Sequence, residues 1–175
     1  METYIENIKN FAFHRHDVEC NQKYNKNLPY SFHLDMVHKQ YEKFKHLLIN
    51  EYEQYLAEAG TFLHDVLEDA RMTYNDLKEL VGYDVAEIVY LCTEEKGRTR
   101  DDRHTESNYT ELSRNKLAVF IKMCDIIANV KFGLLTNSSM YHKYQKDFPK
   151  VKGHLNIYES LEPMFNYLEE ILKIN

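Results

Sequence analysis

Tryptophan is absent from this 175-residue chain, and glycine, proline and cysteine are scarce at five, three and three residues. So few glycines and prolines leave little material for the many tight turns of an all-β protein. Cys20, Cys92 and Cys124 are odd in number, widely spaced and without a CxxC pair, which excludes a disulfide framework and a Cys-type structural zinc. Cys92 and Cys124 stand in apolar surroundings, so they are expected as free buried thiols of a reducing cytoplasm rather than as nucleophiles. No apolar run approaches the roughly 20 residues that cross a bilayer. The segment Met1 to Glu6 has no basic stretch followed by a hydrophobic one, so no secretory signal and no membrane partner are expected. A basic excess is missing too: the formal charge of −6 excludes duplex nucleic acid as a partner. It leaves room for a small phosphorylated substrate, because a metal and a few local Lys or Arg reverse the field inside one cleft.

What is present is helix. Apolar residues make up 43% and charged residues 29%, interspersed rather than blocked, as in one globular domain spanning 1–175. The spacing predicts helices over about 3–20, 30–50, 51–69, 73–82 and 83–93, then a long one over 109–135 and two more over 138–150 and 153–173. Pro29 is expected to open the second, and Ile157 to face inward on the last. Thr73 and Asp76 read as a reciprocal cap for the short helix that Gly82 ends. Leu117 to Ile127 is apolar nearly all round, as in a helix at the centre of a bundle. Lys96 to Ser107 is too charged for the core and reads as a loop that closes over a site. With no strand alternation to compete, the fold is read as an all-α bundle.

Several residues do not belong where this pattern puts them. His64 and Asp65 lie inside an apolar helix, and Glu68 and Asp69 follow one turn later. On a continuous helix His64 and Glu68 share one face and Asp65 and Asp69 another, about 100° apart. Three carboxylates so close repel one another unless a cation neutralises them, and carboxylate oxygens with imidazole nitrogen suit a divalent metal such as Mn, Fe, Zn or Mg. Asp125 sits in the most apolar helix, where an unpaired charge costs several kcal/mol. His33 follows Pro29-Tyr30-Ser31-Phe32 early in the second helix. Two His and two Asp from three helices converging on one ion account for all of these costs. His14, His16, His38, His46, His104, His142 and His154 read as ordinary core or surface residues, with His16 nearest the expected cleft.

These residues carry a family resemblance. His64-Asp65-Val66-Leu67-Glu68-Asp69, then Thr73, Gly82-Tyr83-Asp84-Val85-Ala86 and Thr93, resembles the HD core of stringent-response alarmone hydrolases. Lys122-Met123-Cys124-Asp125-Ile126-Ile127-Ala128-Asn129 is similar to their K-x-x-D-x-x-x-N, and Pro29-Tyr30-Ser31-Phe32-His33 to their P-Y-x-x-H, preceded by Gln22. The resemblance implies a single HD-domain helical bundle with His33, His64, Asp65 and Asp125 as metal ligands, Mn2+ being the usual ion. It implies that Glu68 and Asp69 orient or deprotonate the attacking water, and that Asn129 shapes the nucleotide pocket. Lys23, Lys26, Arg98, Arg100, Lys122 and Lys143 are the candidate cations for substrate phosphates. The chain departs from the family at Tyr24 and Asn25, where many alarmone hydrolases carry an Arg-Lys pair. The expected activity is metal-dependent hydrolysis of a phosphate ester or anhydride in a small nucleotide, most sharply guanosine 3′,5′-bispyrophosphate to GDP and pyrophosphate. The alternatives are a phosphohydrolase for another nucleotide or dinucleotide phosphate, and a non-catalytic nucleotide- or protein-binding module. The sequence leaves the oligomeric state open, a homo-oligomer included.

Overall fold

A computed structural model describes residues 2–93 and 106–173, and these form helices joined by short loops and one two-stranded hairpin. In chain order come α1 (Glu2–Phe13), a wide π-type turn (His14–Glu19), β1 (Lys23–Tyr24), β2 (Leu28–Pro29), α2 (Ser31–Phe44) and α3 (Glu51–Leu63). There follow α4 (Val66–Asp69), α5 (Tyr74–Val81), α6 (Tyr83–Cys92), α7 (Glu106–Leu112), α8 (Lys116–Thr136), α9 (Ser139–Leu155) and α10 (Glu162–Leu172). The all-α bundle expected from the sequence is the observed fold.

α8 is the axis, and α2, α3, α6, α9 and α10 all pack on it. Its residues Leu117 to Ile121 and Met123 to Ala128 are buried on every side, which is why its sequence has no polar stripe. Asn115 starts it by accepting from the Leu117 and Ala118 amides at 2.9 and 3.1 Å, and Asn137 ends it in a left-handed conformation, φ 50°. α3 approaches α8 so closely that a Cβ on Gly60 would stand 2.3 Å from Ile121 Cδ1, which accounts for a glycine in mid-helix. The Thr73–Asp76 cap on α5 is formed as anticipated, and Gly82 follows at φ 83°, where a side chain is strained.

Several boundaries differ from the sequence expectation. The expected helix over 51–69 is interrupted at His64-Asp65, leaving α3 and the single turn α4. The long helix over 109–135 is two, because the Asn115 side chain captures the amides that open a fresh helix. α9 runs unbroken through Pro149 and Gly153, because Tyr144, Phe148, Val151 and Leu155 continue one buried stripe. The chain turns only after Leu155, and Ile157 is 58% exposed rather than core. Pro29 lies in β2, so that Tyr30, not Pro29, precedes α2, and Asn50 caps α3 rather than closing α2.

Candidate metal centre

Three packed helices and one break in a helix bring the singled-out residues together. His33 comes from the first turn of α2, Asp125 from the middle of α8, and His64 and Asp65 from the junction of α3 and α4. His33 Nε2 is 3.3 Å from Asp125 Oδ1 and 3.7 Å from Asp65 Oδ2. His64 Nε2 is 3.0 Å from Asp65 Oδ2 and 3.9 Å from Asp125 Oδ1. Ligand atoms about 2.1 Å from one ion stand roughly 3.0–3.5 Å from their neighbours. His33, His64 and Asp125 offer atoms all within 4.8 Å of one another, a set that could hold one ion, while Asp65 lies beside the two histidines but outside that set.

The helix break has a chemical consequence. With α3 ended at Leu63, the Thr61 carbonyl accepts from His64 Nδ1 at 3.0 Å, which assigns the proton to that nitrogen. His64 Nε2 is then turned into the cluster, buried and 3.0 Å from Asp65 Oδ2. A bare ring nitrogen and a carboxylate oxygen are both acceptors, so a contact that short needs a cation between them, either a proton or a metal ion. Two imidazoles and two carboxylates suit a hard or borderline divalent ion, and thiolate is not in competition. Cys92 and Cys124 are buried and free, with burial pushing the Cys92 thiol up to about 12. A second group, His38, Glu42 and Glu58, is satisfied by its own bonds: His38 Nε2 meets Glu58 Oε1 at 3.0 Å and Lys45 meets Glu42 at 2.9 Å. It reads as a partly exposed ion-pair network.

Without a metal, a proton takes its place. Burial pushes His64 down, but the charges of Asp65 and Asp125, with the Thr61 carbonyl, outweigh burial and lift it to about 9. His64 and His33 in turn hold Asp65 well below the usual carboxylate range against its burial, and His33 and Lys122 do the same for Asp125. Because the raised histidine is charged at neutral pH and a metal needs it neutral, binding must expel a proton. Apparent affinity is therefore expected to rise by up to about tenfold per pH unit between the ordinary histidine value and about 9. Metal titrations in buffers of differing ionisation enthalpy count that proton. The same shift stabilises the metal-free fold fully below about pH 6.5, and the contribution is lost as pH rises through about 9.

A ring of supporting groups surrounds the four. The Tyr30 hydroxyl donates to Asp65. Asn129 donates to Asp125 Oδ1 at 2.6 Å and accepts from the Tyr24 hydroxyl at 2.8 Å, while Tyr24 stacks on the His33 ring at 4.9 Å. Lys122 Nζ is 3.5 Å from Asp125 Oδ2. On α4, Glu68 is half-buried, and Asp69 accepts from Gln22 Nε2 at 2.8 Å. Burial and the nearby Asp65 charge lift Asp69 above the ordinary aspartate value. Lys23 and Lys26 are exposed on the hairpin, and Lys143 is exposed on α9. Arg98, Arg100 and most of the proposed lid lie outside the described residues, although Glu106 already belongs to α7. A cavity of about 80 Å³ next to Asn129 is lined by Tyr24, Asn25, Phe132, Ser138 and Met140. A larger one, about 470 Å³, opens beside His38 and Tyr41 and shares no lining residue with the centre.

Sequence reasoning passed over the partnerships of His16, Tyr24 and Tyr30. His16 reads from the sequence as an ordinary core or surface residue, though the one nearest the expected cleft, with α-helical periodicity assumed through residue 20. The π-type turn changes the direction in which it points, and it is fully buried. Tyr30 stood within the P-Y-x-x-H segment, and that was the available signal for its contact with Asp65.

No protein-family model matches the chain. A solved structure of a metazoan ortholog of SpoT, described as hydrolysing ppGpp and playing a role in starvation responses, superposes on it with a TM-score of 0.68. The two are 20% identical, over 95% of this chain and 94% of the other. This chain therefore shares the all-α fold of that structure over nearly its whole length.

Proposed function

We propose that this protein is a metal-dependent phosphohydrolase of a small nucleotide, most sharply a guanosine 3′,5′-bispyrophosphate 3′-pyrophosphohydrolase using Mn2+. The observation that carries the reading is the buried His64 Nε2 held 3.0 Å from Asp65 and 3.9 Å from Asp125, with two further carboxylates one turn away on α4. His33, His64, Asp65 and Asp125 would hold the ion, which when bound supplies Lewis acidity to the phosphoryl group and makes water nucleophilic near neutral pH. Glu68 and Asp69 take the proton from the attacking water and orient it. Asn129 and Tyr24 keep Asp125 in place, and Lys122 offsets part of the negative charge. With the tetraphosphate, water adds at the phosphorus on the 3′ oxygen, that oxygen–phosphorus bond breaks, and GDP and pyrophosphate leave.

One observation favours a second substrate. Tyr24 stands where many alarmone hydrolases carry an arginine, and it borders the cavity beside Asn129 together with Phe132 and neutral polar groups. That lining suits a flat, uncharged ring better than a second diphosphate, and so suits a nucleotide with a single phosphorylated end. The deciding experiment follows phosphate and pyrophosphate separately from Mn-loaded protein given guanosine tetraphosphate, nucleoside mono-, di- and triphosphates, and dinucleotide phosphates. Pyrophosphate from the tetraphosphate alone supports the sharp reading, and phosphate from monophosphates supports the second. Metal bound with no turnover of any of them overturns both and favours a binding module.

A further inference from the structure

The hydrogen bonds around Gln22 give a task to two residues that lie outside the ligand set. We propose that His16 and Gln22 form a fixed arm that orients the Asp69 carboxylate toward the attacking water, which makes both of them positioning residues of the reaction. The inference rests on the functional reading given above.

His16 lies in the π-type turn and has no solvent exposure. The turn is held by the Cys20 amide on the Arg15 carbonyl at 3.1 Å and by the Gln22 amide on the His16 carbonyl at 2.9 Å. From there His16 Nδ1 meets Gln22 Oε1 at 2.5 Å, and Gln22 Nε2 donates to Asp69 Oδ2 at 2.8 Å. A glutamine amide has two unlike ends, and reversed it would set an oxygen against a carboxylate. The Asp69 carboxylate only accepts, so the NH2 group faces it, the amide oxygen faces His16, and the His16 ring carries its proton on Nδ1 and donates it to that oxygen. Burial holds His16 below its ordinary value, which keeps the ring neutral.

Two further observations fit the same arrangement. His16 Nε2 is buried without a hydrogen-bond partner, a cost that an apolar residue at this position would not incur. The His16 ring also stacks on Tyr30 at 4.6 Å and 21°, and the Tyr30 hydroxyl donates to Asp65. One imidazole thus braces a metal-side carboxylate through a ring contact and a water-side carboxylate through an amide. Because Gln22 occupies Oδ2, Asp69 Oδ1 is the oxygen turned to the water.

The test uses Gln22→Leu, similar in size and unable to donate, with His16→Leu and His16→Asn, the last keeping a donor near the Nδ1 position. For a wild type active on guanosine tetraphosphate, Gln22→Leu and His16→Leu are expected to lose about 10–100-fold in kcat, with KM and Mn2+ affinity within about twofold. His16→Asn is expected to recover most of the loss. Ring-nitrogen correlation spectra of the metal-free wild type should show His16 as the Nδ1–H tautomer, with its Nδ1–H signal displaced in Gln22→Leu. An unchanged kcat in Gln22→Leu, a fall in Mn2+ affinity that matches the fall in kcat, or an Nε2–H tautomer overturns the arm and leaves the functional reading standing. A wild type that turns over no substrate of the panel overturns the functional reading itself.

Discussion

Asp65→Ala is expected to lose metal binding and hydrolysis together. Asp65 Oδ2 is the atom nearest His64 Nε2, at 3.0 Å, and it also faces His33 Nε2 at 3.7 Å. Removing it leaves two buried imidazoles and one carboxylate to hold a dication, and strips the Tyr30 hydroxyl of its acceptor. Loss of a group that merely supports a ligand costs about 10–100-fold in affinity or activity. Loss of a ligand should therefore reach or exceed the upper end of that range in both quantities. Calorimetric metal titration and turnover are measured on the same preparation, with thermal unfolding as the control. Metal at 100 times its Kd stabilises a folded protein by about 2.7 kcal/mol, so the wild type should gain in Tm on adding Mn2+ and the variant should not. A variant that binds Mn2+ as tightly as the wild type sinks the assignment of the centre.

Glu68→Gln separates chemistry from binding. Glu68 sits on α4, one turn beyond the ligands, half-buried beside Asp69. The amide keeps the size and loses the basicity, so metal affinity should stay within about twofold while kcat falls by about 10²–10⁴, the usual contribution of a positioned proton acceptor. Asp69→Asn should follow it. Groups that act as a unit do not add: the doubly substituted protein is expected to be little worse than the poorer single variant. A kcat within threefold of wild type in both single variants removes the pair from the mechanism.

The central helix, the capped short helix and the convergence of His33, His64, Asp65 and Asp125 were legible in the sequence for one reason. Each is a polar residue out of place in an apolar pattern, or a cap of known spacing, and both kinds of signal are local. The Thr73–Asp76 cap and the apolar run from Leu117 to Ile127 needed no tertiary information. The interruption at His64-Asp65 was not legible, because Phe62 to Leu67 carries no glycine or proline and reads as continuous helix. It is made by packing: Phe62, Leu63 and Val66 are all buried, and His64 takes the Thr61 carbonyl. The expected single continuous helix is broken there, although the Asp69 amide still bonds the Asp65 carbonyl at 2.9 Å. Asn115 and Gly153 misled in opposite directions, the first ending an apparent helix by capping the next, the second lying harmlessly inside α9. The sequence places His16 near the cleft, but its burial and its bond to Gln22 were not legible, because they depend on a non-standard turn that leaves no mark in residue type.

That turn bears on how such proteins are compared with one another. Six residues, His14–Glu19, are wound with a wider spacing than the helix that leads into them. A widened turn accommodates an added residue without disturbing what lies on either side, so an alignment drawn as though α1 continued regularly slips by one position before it reaches Gln22. Superposition in space does not slip. Shape is consequently the safer guide for tracing His16 and Gln22 among distant proteins of this architecture, and the hairpin after the turn is the landmark from which to count backwards.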